Sequence, residues 1–173
     1  MKPDPSLSAI AGAAMAADEF VMTRVVNASP AQVWSAFTQA EQLQQWWRPD
    51  GFTVTTQRMD FREGGIWQFT MHGPAADGKP GVDYPNKILF KRIVSGQLIT
   101  HAHGDDKMDD LGQGALFQAQ ISFAGFANQT RVTNRAVFDS VQARDFVVKN
   151  HNAIEGGKQT LARLAHYLAQ ANL

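Results

Sequence analysis

The chain of 173 residues carries 16 basic and 16 acidic side chains, five histidines and no cysteine. Its length fits one domain with a single core, and the balanced, interspersed charges give no electrostatic footprint for nucleic acid or an anionic membrane. The lack of cysteine excludes disulfides, thiolate zinc sites and cysteine nucleophiles, and it is compatible with the reducing cytoplasm in which we expect the protein to work.

The N-terminal segment, residues 1–17, is small and alanine-rich. We predict a flexible leader there, followed by one domain over residues 18–173. A signal peptide is the less favoured alternative, because the segment has a weak positive region, an h-region built mostly of alanine and an acidic residue, Asp18, after it. No apolar run approaches the ~18 residues that a membrane-spanning helix needs.

A strand and two short helices are predicted next. Phe20–Asn27 is rich in β-branched residues, which favours a strand. Ser29 then stands where a helix N-cap is expected, with a proline at the first helical position and Gln32 three residues after the cap, a capping-box arrangement. A second short helix is predicted over Glu41–Trp47, ending before a proline.

Six further strands are predicted from short, β-rich runs bounded by turn residues. They are Phe52–Asp60, Gly65–His72, Tyr84–Val94, Leu98–His103, Leu116–Phe123 and Gln129–Phe138. Turns are expected at Ser95–Gly96 and Gly125–Asn128. Consecutive hairpins at this spacing indicate an antiparallel meander.

The C-terminal part of the chain has helical periodicity. A short helix is predicted over Val141–Asn150 and a longer one over Asn152–Ala169, whose apolar stripe includes Leu161 and Leu164. This order of elements is typical of an α+β fold with helices on one face of the sheet. Gly156 and Gly157 within the long helix indicate either a kink or late helix start, or space for a ligand or for close approach of the sheet.

Three blocks of sequence resemble one known family. These are WWRPDGF from Trp46, DFREGGIWQFTMHGP from Asp60 and YPNKILFKRIVSGQLITH from Tyr84. Their pattern, over about residues 19–171, resembles the activator of heat-shock-protein-90 ATPase homologue-like family of the START, polyketide-cyclase and Bet v-like superfamily. The resemblance implies a helix-grip fold, in which a curved antiparallel seven-stranded sheet wraps around a long C-terminal helix and leaves an apolar cavity between them.

We therefore predict a binding site for a small apolar or amphipathic molecule, without a cofactor. The warrant from the residues is the alternation in Ile66–His72, which places Trp67, Phe69 and Met71 on one face; these side chains could also fill a packed core. The candidate ligand-binding residues are Trp46, Trp47, Trp67, Phe69, Met71, Tyr84, His101, Phe117, Asn134, Gly157 and Leu161.

Two histidines on one strand suggest alternative chemistry. His101 and His103 lie two residues apart and share a face, as in a metal half-site, but no further ligand is fixed by the sequence and we predict no metal. An inward histidine could instead act as an acid or base on a bound carbonyl compound, as in a cyclase- or dehydratase-like enzyme. The standard motifs of serine hydrolases, nucleotide enzymes and zinc proteases are absent from the sequence.

Loops and partners complete the expectations. The aspartate-rich loop Gly104–Gly114 lacks calcium-binding spacing and is predicted to be solvated, mobile and near the cavity mouth, and Gly73–Asp83 could act as a lid. Arg92 is expected to reach solvent. A chaperone-type protein partner, implied by the name of the family, is left as an alternative to small-molecule binding. A homodimer is compatible with either role.

Overall fold

Seven antiparallel strands and four helices make up the part of the chain that is described, residues 16–171 of a computed structural model. The strands are β1 (Glu19–Val26), β2 (Thr53–Met59), β3 (Ile66–His72), β4 (Asp83–Val94), β5 (Leu98–Gly104), β6 (Phe117–Phe126) and β7 (Gln129–Val137). The helices are α1 (Pro30–Thr38), α2 (Ala40–Trp46), α3 (Val141–His151) and α4 (Ala153–Ala171). The predicted leader lies, except for its last two residues, outside the described range.

The sheet has the strand order β1-β7-β6-β5-β4-β3-β2. Strands β2 to β7 follow one another as an antiparallel meander, which confirms the prediction from the hairpin spacing. The first strand pairs with the last, β1 on β7, because α1 and α2 carry the chain to the opposite edge of the sheet before β2 begins. The predicted α+β helix-grip architecture is therefore confirmed.

The first helix begins with the capping box that the sequence predicts at Ser29 and Gln32. The Ser29 side chain accepts a hydrogen bond from the Gln32 backbone N–H at 3.3 Å. In return the Ser29 backbone N–H donates to Oε1 of Gln32 at 2.9 Å. This reciprocal capping box satisfies two backbone donors that a helix start otherwise leaves unpaired.

Helix α4 packs on the concave face of the sheet through its apolar stripe, in which Leu161, Leu164 and Leu168 are buried. It runs unbroken through both glycines, so the interpretation as a late helix start is wrong. A Cβ atom on Gly157 would collide with the end of the Met22 side chain on β1. The glycine therefore allows close approach of helix and sheet, and the chain bends instead at Asn152, which is left-handed at φ 48°.

The loop between β5 and β6 does not lie where the sequence suggested. Met108, in the middle of this loop, is 1% exposed and packs with Ile66, Leu89 and Ala102 on the outer, convex face of the sheet. The loop therefore forms a second small apolar cluster on the face opposite α4, and the prediction that it borders the cavity mouth is wrong. The sequence did contain a signal for this burial, because Met108 is an apolar residue within the loop. The four aspartates around it favoured the interpretation as a solvated loop.

Ionic contacts fix this loop to the sheet. The Lys87 ammonium donates to the Met108 carbonyl at 2.7 Å and pairs with Asp110 at 3.1 Å. Arg58 donates to both carboxylate oxygens of Asp110, at 2.9 and 3.0 Å. Hydrogen bonds from Arg58 and then from Lys87 hold the pKa of Asp110 below its ordinary value.

Truncation of the Met108 side chain should loosen the loop between β5 and β6 without affecting the concave face of the sheet. We expect Met108→Ala to lower the free energy of unfolding by about 2 kcal/mol, because it removes buried side-chain volume from a small cluster. Leu111→Ala in the same loop, at a side chain that is 80% exposed, should change it by less than about 0.5 kcal/mol. Urea unfolding compares the two variants, and equal losses would contradict a buried role for Met108.

Candidate functional site

A cavity of about 240 Å³ lies between the concave face of the sheet and the first half of α4. Its walls come from β1, β3, β5, β6 and β7, from aromatic side chains of α1, α2 and the loop after α2, and from the N-terminal turns of α4. His151 at the end of α3 is exposed while lining the cavity, and the neighbouring Pro49 and Gly156 are half-buried. The cavity therefore reaches the surface between α2 and the junction of α3 and α4.

Eight of the eleven predicted ligand-binding residues line this cavity. They are Trp46, Trp47, Met71, His101, Phe117, Asn134, Gly157 and Leu161. They come from six different elements and the loop after α2, so the fold brings together side chains that are more than one hundred residues apart in the sequence. Their role in binding a ligand stays a prediction.

Trp67 and Phe69 lie on the expected face but inside the core. Their rings stack on each other with centroids 4.0 Å apart, and both residues are at most 2% exposed. The Trp67 indole N–H donates to Oγ1 of Thr56 at 3.1 Å, which satisfies its polar atom. The pair therefore fills the sheet-side core next to the cavity instead of lining it, and Trp67 borders only a separate void of about 10 Å³.

Tyr84 is a correction, because it lies at the surface. It is 41% exposed and its ring packs 6.0 Å from that of Phe52. The first three residues of β4 are all exposed, whereas Lys87 to Phe90 are buried. The alternation predicted the side of the strand but could not show that the strand begins beyond the covered part of the sheet. Arg92 is exposed, as expected.

The two loops proposed as a mouth and a lid contribute nothing to this cavity. The segment after β3 closes on itself, with the Gly73 N–H donating to the Val82 carbonyl at 2.8 Å and a short bridge between Ala76 and Lys79. Neither this segment nor the loop after β5 supplies a lining residue. The lid prediction for Gly73–Asp83 is therefore not supported by its position.

The cavity lining is apolar apart from three histidines, Asn134, Thr160 and backbone groups. No Asp, Glu, Lys or Arg within residues 16–171 contributes to it. A charged ligand group placed inside would be removed from water without a counter-charge, which is costly. The site therefore favours a neutral molecule, or at least a neutral part of one.

His101 is the most deeply buried polar side chain of the cavity, at 3% exposure. Neither of its ring nitrogens has a hydrogen-bond partner within the described residues. Burial lowers its pKa to about 4, so the imidazole is neutral at pH 7 with one donor and one acceptor nitrogen. Unpaired buried polar atoms cost about 1–3 kcal/mol each, which makes a polar partner inside the cavity favourable.

His103 lies two residues further along β5, and its ring is held from three sides. It stacks on Phe117 with centroids 4.7 Å apart, and the edge of Phe69 approaches it at 6.3 Å. Its Nε2 lies 2.9 Å from Oδ1 of Asn86. Burial, and secondarily the nearby His101, lowers its pKa to about 3, so this ring is also neutral at pH 7.

Asn134 on β7 supplies further polarity on the sheet side of the cavity. One strand, β6, separates it from β5, and Ile121 of β6 pairs with both Ile99 of β5 and Asn134. Its side-chain Oδ1 is buried and has no hydrogen-bond partner among residues 16–171. The cavity is thus an apolar chamber with hydrogen-bonding groups on two separated strands.

The paired histidines share a face, with ring centroids 5.9 Å apart, and Nε2 of His103 is engaged with Asn86. Within residues 16–171 no three His, Asp or Glu side chains are grouped so that they could hold a metal ion. None of the described helices has both the length and the apolar character needed to span a membrane.

Several cavity residues were missed by reasoning from the sequence. Ala119, Ala136 and Thr160 contribute to the wall, and their small size creates the space. The signal was present, because the inward positions of β6 and β7 alternate with outward ones and two of them are alanine. Asn86, the partner of His103, could have been found only with the cross-strand register of β4 and β5.

The sheet, the C-terminal helix on its concave face and the cavity between them define a protein of the helix-grip class. More specifically, the chain belongs to the activator of Hsp90 ATPase homolog 1-like family, whose model matches residues 27–169. This confirms the resemblance seen in the three sequence blocks. No curated protein is detectably similar to the chain in sequence.

Solved structures share the fold at low sequence identity. A Nitrosomonas europaea protein is 20% identical with a TM-score of 0.77, and the match covers 92% of this chain and 99% of that chain. An Arthrobacter aurescens protein is 22% identical with a TM-score of 0.75, covering 89% and 87%. The AHSA1 protein of Silicibacter pomeroyi is 18% identical with a TM-score of 0.63, covering 88% and 99%. At these identities the likeness shows the fold alone.

Proposed function

We propose that the protein binds a small, neutral, apolar or amphipathic molecule in the cavity between the sheet and α4. The observation that carries this proposal is the composition of the cavity lining, which is apolar and uncharged but includes buried, unpartnered polar atoms on His101 and Asn134. Ligand sites have this character in general: a mostly apolar and aromatic wall with a few polar groups that fix orientation.

The size of the cavity limits the ligand. An engineered apolar cavity of about 150 Å³ holds benzene, and sites for drug-sized ligands begin at about 300 Å³. A volume of about 240 Å³ lies between these values. The proposed ligand therefore has a compact body of one or two rings, or a short branched chain.

Binding without turnover is favoured over acid–base catalysis. An efficient general base has a pKa near the working pH, whereas burial lowers the pKa of His101 to about 4 and that of His103 to about 3. Both rings are therefore weak bases at pH 7 and serve better as neutral hydrogen-bonding groups. A co-chaperone role would rest on the description of the family alone, and we do not propose it.

Native mass spectrometry of freshly purified protein, followed by thermal-shift measurements with neutral one- and two-ring compounds, tests the proposal. A ligand present at one hundred times its dissociation constant should stabilise the protein by about 2.7 kcal/mol. No retained mass and no shift with any compound would contradict ligand binding in this cavity.

Reducing the cavity should abolish binding while the fold persists. Ala136 is 2% exposed and lines the cavity, so we expect Ala136→Leu to occupy part of the space and to weaken binding by at least tenfold. Ala124→Leu makes the same change at an exposed position of β6 and should bind normally. Calorimetric titration of both variants, with circular dichroism as the check on folding, separates the outcomes, and unchanged affinity in Ala136→Leu would place the ligand elsewhere.

A further inference from the structure

One polar group of the cavity has a fixed hydrogen-bonding character. Nε2 of His103 faces Oδ1 of Asn86 at 2.9 Å. The amide of Asn86 is itself oriented, because its Nδ2 donates to the Tyr84 carbonyl at 2.8 Å. The atom facing His103 is therefore the amide oxygen, which can only accept, and the proton of the neutral imidazole must be on Nε2.

The other nitrogen of the ring is consequently an acceptor. A neutral imidazole carries one proton, so Nδ1 of His103 has a lone pair and no proton. Among residues 16–171 the hydrogen bond of the His103 side chain is the one through Nε2, and the ring is part of the cavity wall. The ring cannot easily reorient, since it is stacked on Phe117 and tied to Asn86.

Two other polar side chains of the cavity adapt to either kind of ligand. His101 has one donor and one acceptor nitrogen, both unpartnered, and the Asn134 amide contains an oxygen and an NH₂ group. These two side chains therefore accommodate an alcohol or a ketone equally. His103 discriminates between them, because an acceptor placed against its lone pair leaves both atoms unsatisfied.

We propose that the ligand is a neutral hydrogen-bond donor, an alcohol or phenol with a compact hydrocarbon body, whose hydroxyl donates to Nδ1 of His103. Asn86 keeps the imidazole proton on Nε2, so that Nδ1 accepts this hydrogen bond. This inference rests on the proposed function and specifies its ligand class. The inference disfavours carboxylates and protonated amines, since no charged side chain within the described residues lines the cavity. It also predicts that ketones and ethers bind more weakly than alcohols.

A pair of ligands with one carbon skeleton tests the inference. 1-Tetralol and 1-tetralone differ only in the oxidation state of one carbon, so one presents a hydroxyl and the other a carbonyl oxygen. We expect 1-tetralol to bind the wild-type protein about tenfold more tightly in calorimetric titrations at pH 7. Equal affinity, or preference for 1-tetralone, would overturn the inference while leaving the proposed function intact. If neither of these compounds nor any other neutral compound binds, both the inference and the proposed function are overturned.

Variants of Asn86 test the control of the tautomer. Asn86→Leu keeps the stack of His103 on Phe117 but removes the acceptor that fixes the proton, so the preference for 1-tetralol should fall to about twofold or less. Asn150→Leu, at an exposed position of α3, should retain the wild-type preference. Retention of the full preference in Asn86→Leu would overturn the role of Asn86.

Nitrogen NMR of the wild-type protein gives a readout that does not depend on the folding of any variant. The two-bond correlations of the imidazole should show the Nε2–H tautomer for His103, and addition of 1-tetralol should shift the Nδ1 resonance. Addition of 1-tetralone should leave this resonance nearly unchanged. An Nδ1–H tautomer would overturn the inference.

Discussion

Lowering the pH from 7 to 4 is expected to remove several kcal/mol from the free energy of unfolding, with the buried histidines responsible for much of the loss. In an unfolded chain histidine titrates near pH 6.5. Burial in the cavity wall lowers the pKa of His101 to about 4 and that of His103 to about 3. Below pH 6.5 the unfolded chain therefore binds protons that the folded protein excludes.

The sign follows from this difference in proton binding. Stability rises with pH wherever the unfolded state binds more protons, so the stabilising contribution is complete above pH 6.5. It is lost as the pH falls toward 4 for His101 and toward 3 for His103. At about 1.4 kcal/mol per unit of pKa, His101 alone contributes about 3 kcal/mol. The two histidines are neighbours, and their contributions are not additive.

Urea unfolding at a series of pH values between 7 and 4 measures this effect. In His101→Phe the loss of stability over this interval should be smaller than in the wild-type protein by about 2–3 kcal/mol. His166→Phe makes the same change at an exposed position of α4 and should follow the wild-type curve. Parallel curves for wild type and His101→Phe would contradict neutral burial of His101 and would assign acid unfolding to the carboxylates.

The order and type of the elements could be predicted because local signals and periodicity agree. Ser29 and Gln32 define the start of α1 through backbone hydrogen bonds that involve only neighbouring residues. Alternation in Ile66–His72 correctly placed Trp67 and Phe69 on the concave face, since successive side chains of a strand must point to opposite faces. The three to four-residue spacing of leucines predicted the buried stripe of α4.

The location of the cavity within that face could not be predicted in the same way. Periodicity gives the side of a strand but not how far the opposing helix extends along it. Tyr84 lies beyond the covered region, and Trp67 fills the space beside Phe69. The cavity occurs instead between Ala119 and Ala136 of the sheet and Gly157 and Thr160 of α4, so it depends on small residues from distant parts of the chain.

The polarity of the site depends on pairings that are still less visible in the sequence. The pattern of His101 and His103 predicted two imidazoles on one face, and both do line the cavity. Their difference arises from Asn86, which binds His103 and leaves His101 unpartnered. Asn86 is 17 residues before His103, and only the register between β4 and β5 brings them together.

Replacement of Trp46 by alanine is expected to have the largest effect of any single substitution in the aromatic wall. Trp46 is 0% exposed, and its indole N–H donates to the Ala36 carbonyl at 3.0 Å, which ties α2 to α1. Its ring also packs edge-on against Phe37 at 4.7 Å. Removing this side chain leaves a large void and breaks a buried hydrogen bond, so Trp46→Ala should cost about 3–5 kcal/mol.

The adjacent Trp47 provides a matched comparison, because it lines the same cavity and has the same side chain. It is only half-buried and makes no described hydrogen bond through its indole. Trp47→Ala should therefore cost less than half as much stability, while it enlarges the cavity and changes ligand selectivity in favour of bulkier neutral compounds. Urea unfolding and calorimetric titration of both variants give the two readouts. Equal losses of stability in the two variants would contradict the prediction. They would show that the hydrogen bond and full burial of Trp46 add nothing to its contribution to the free energy of unfolding.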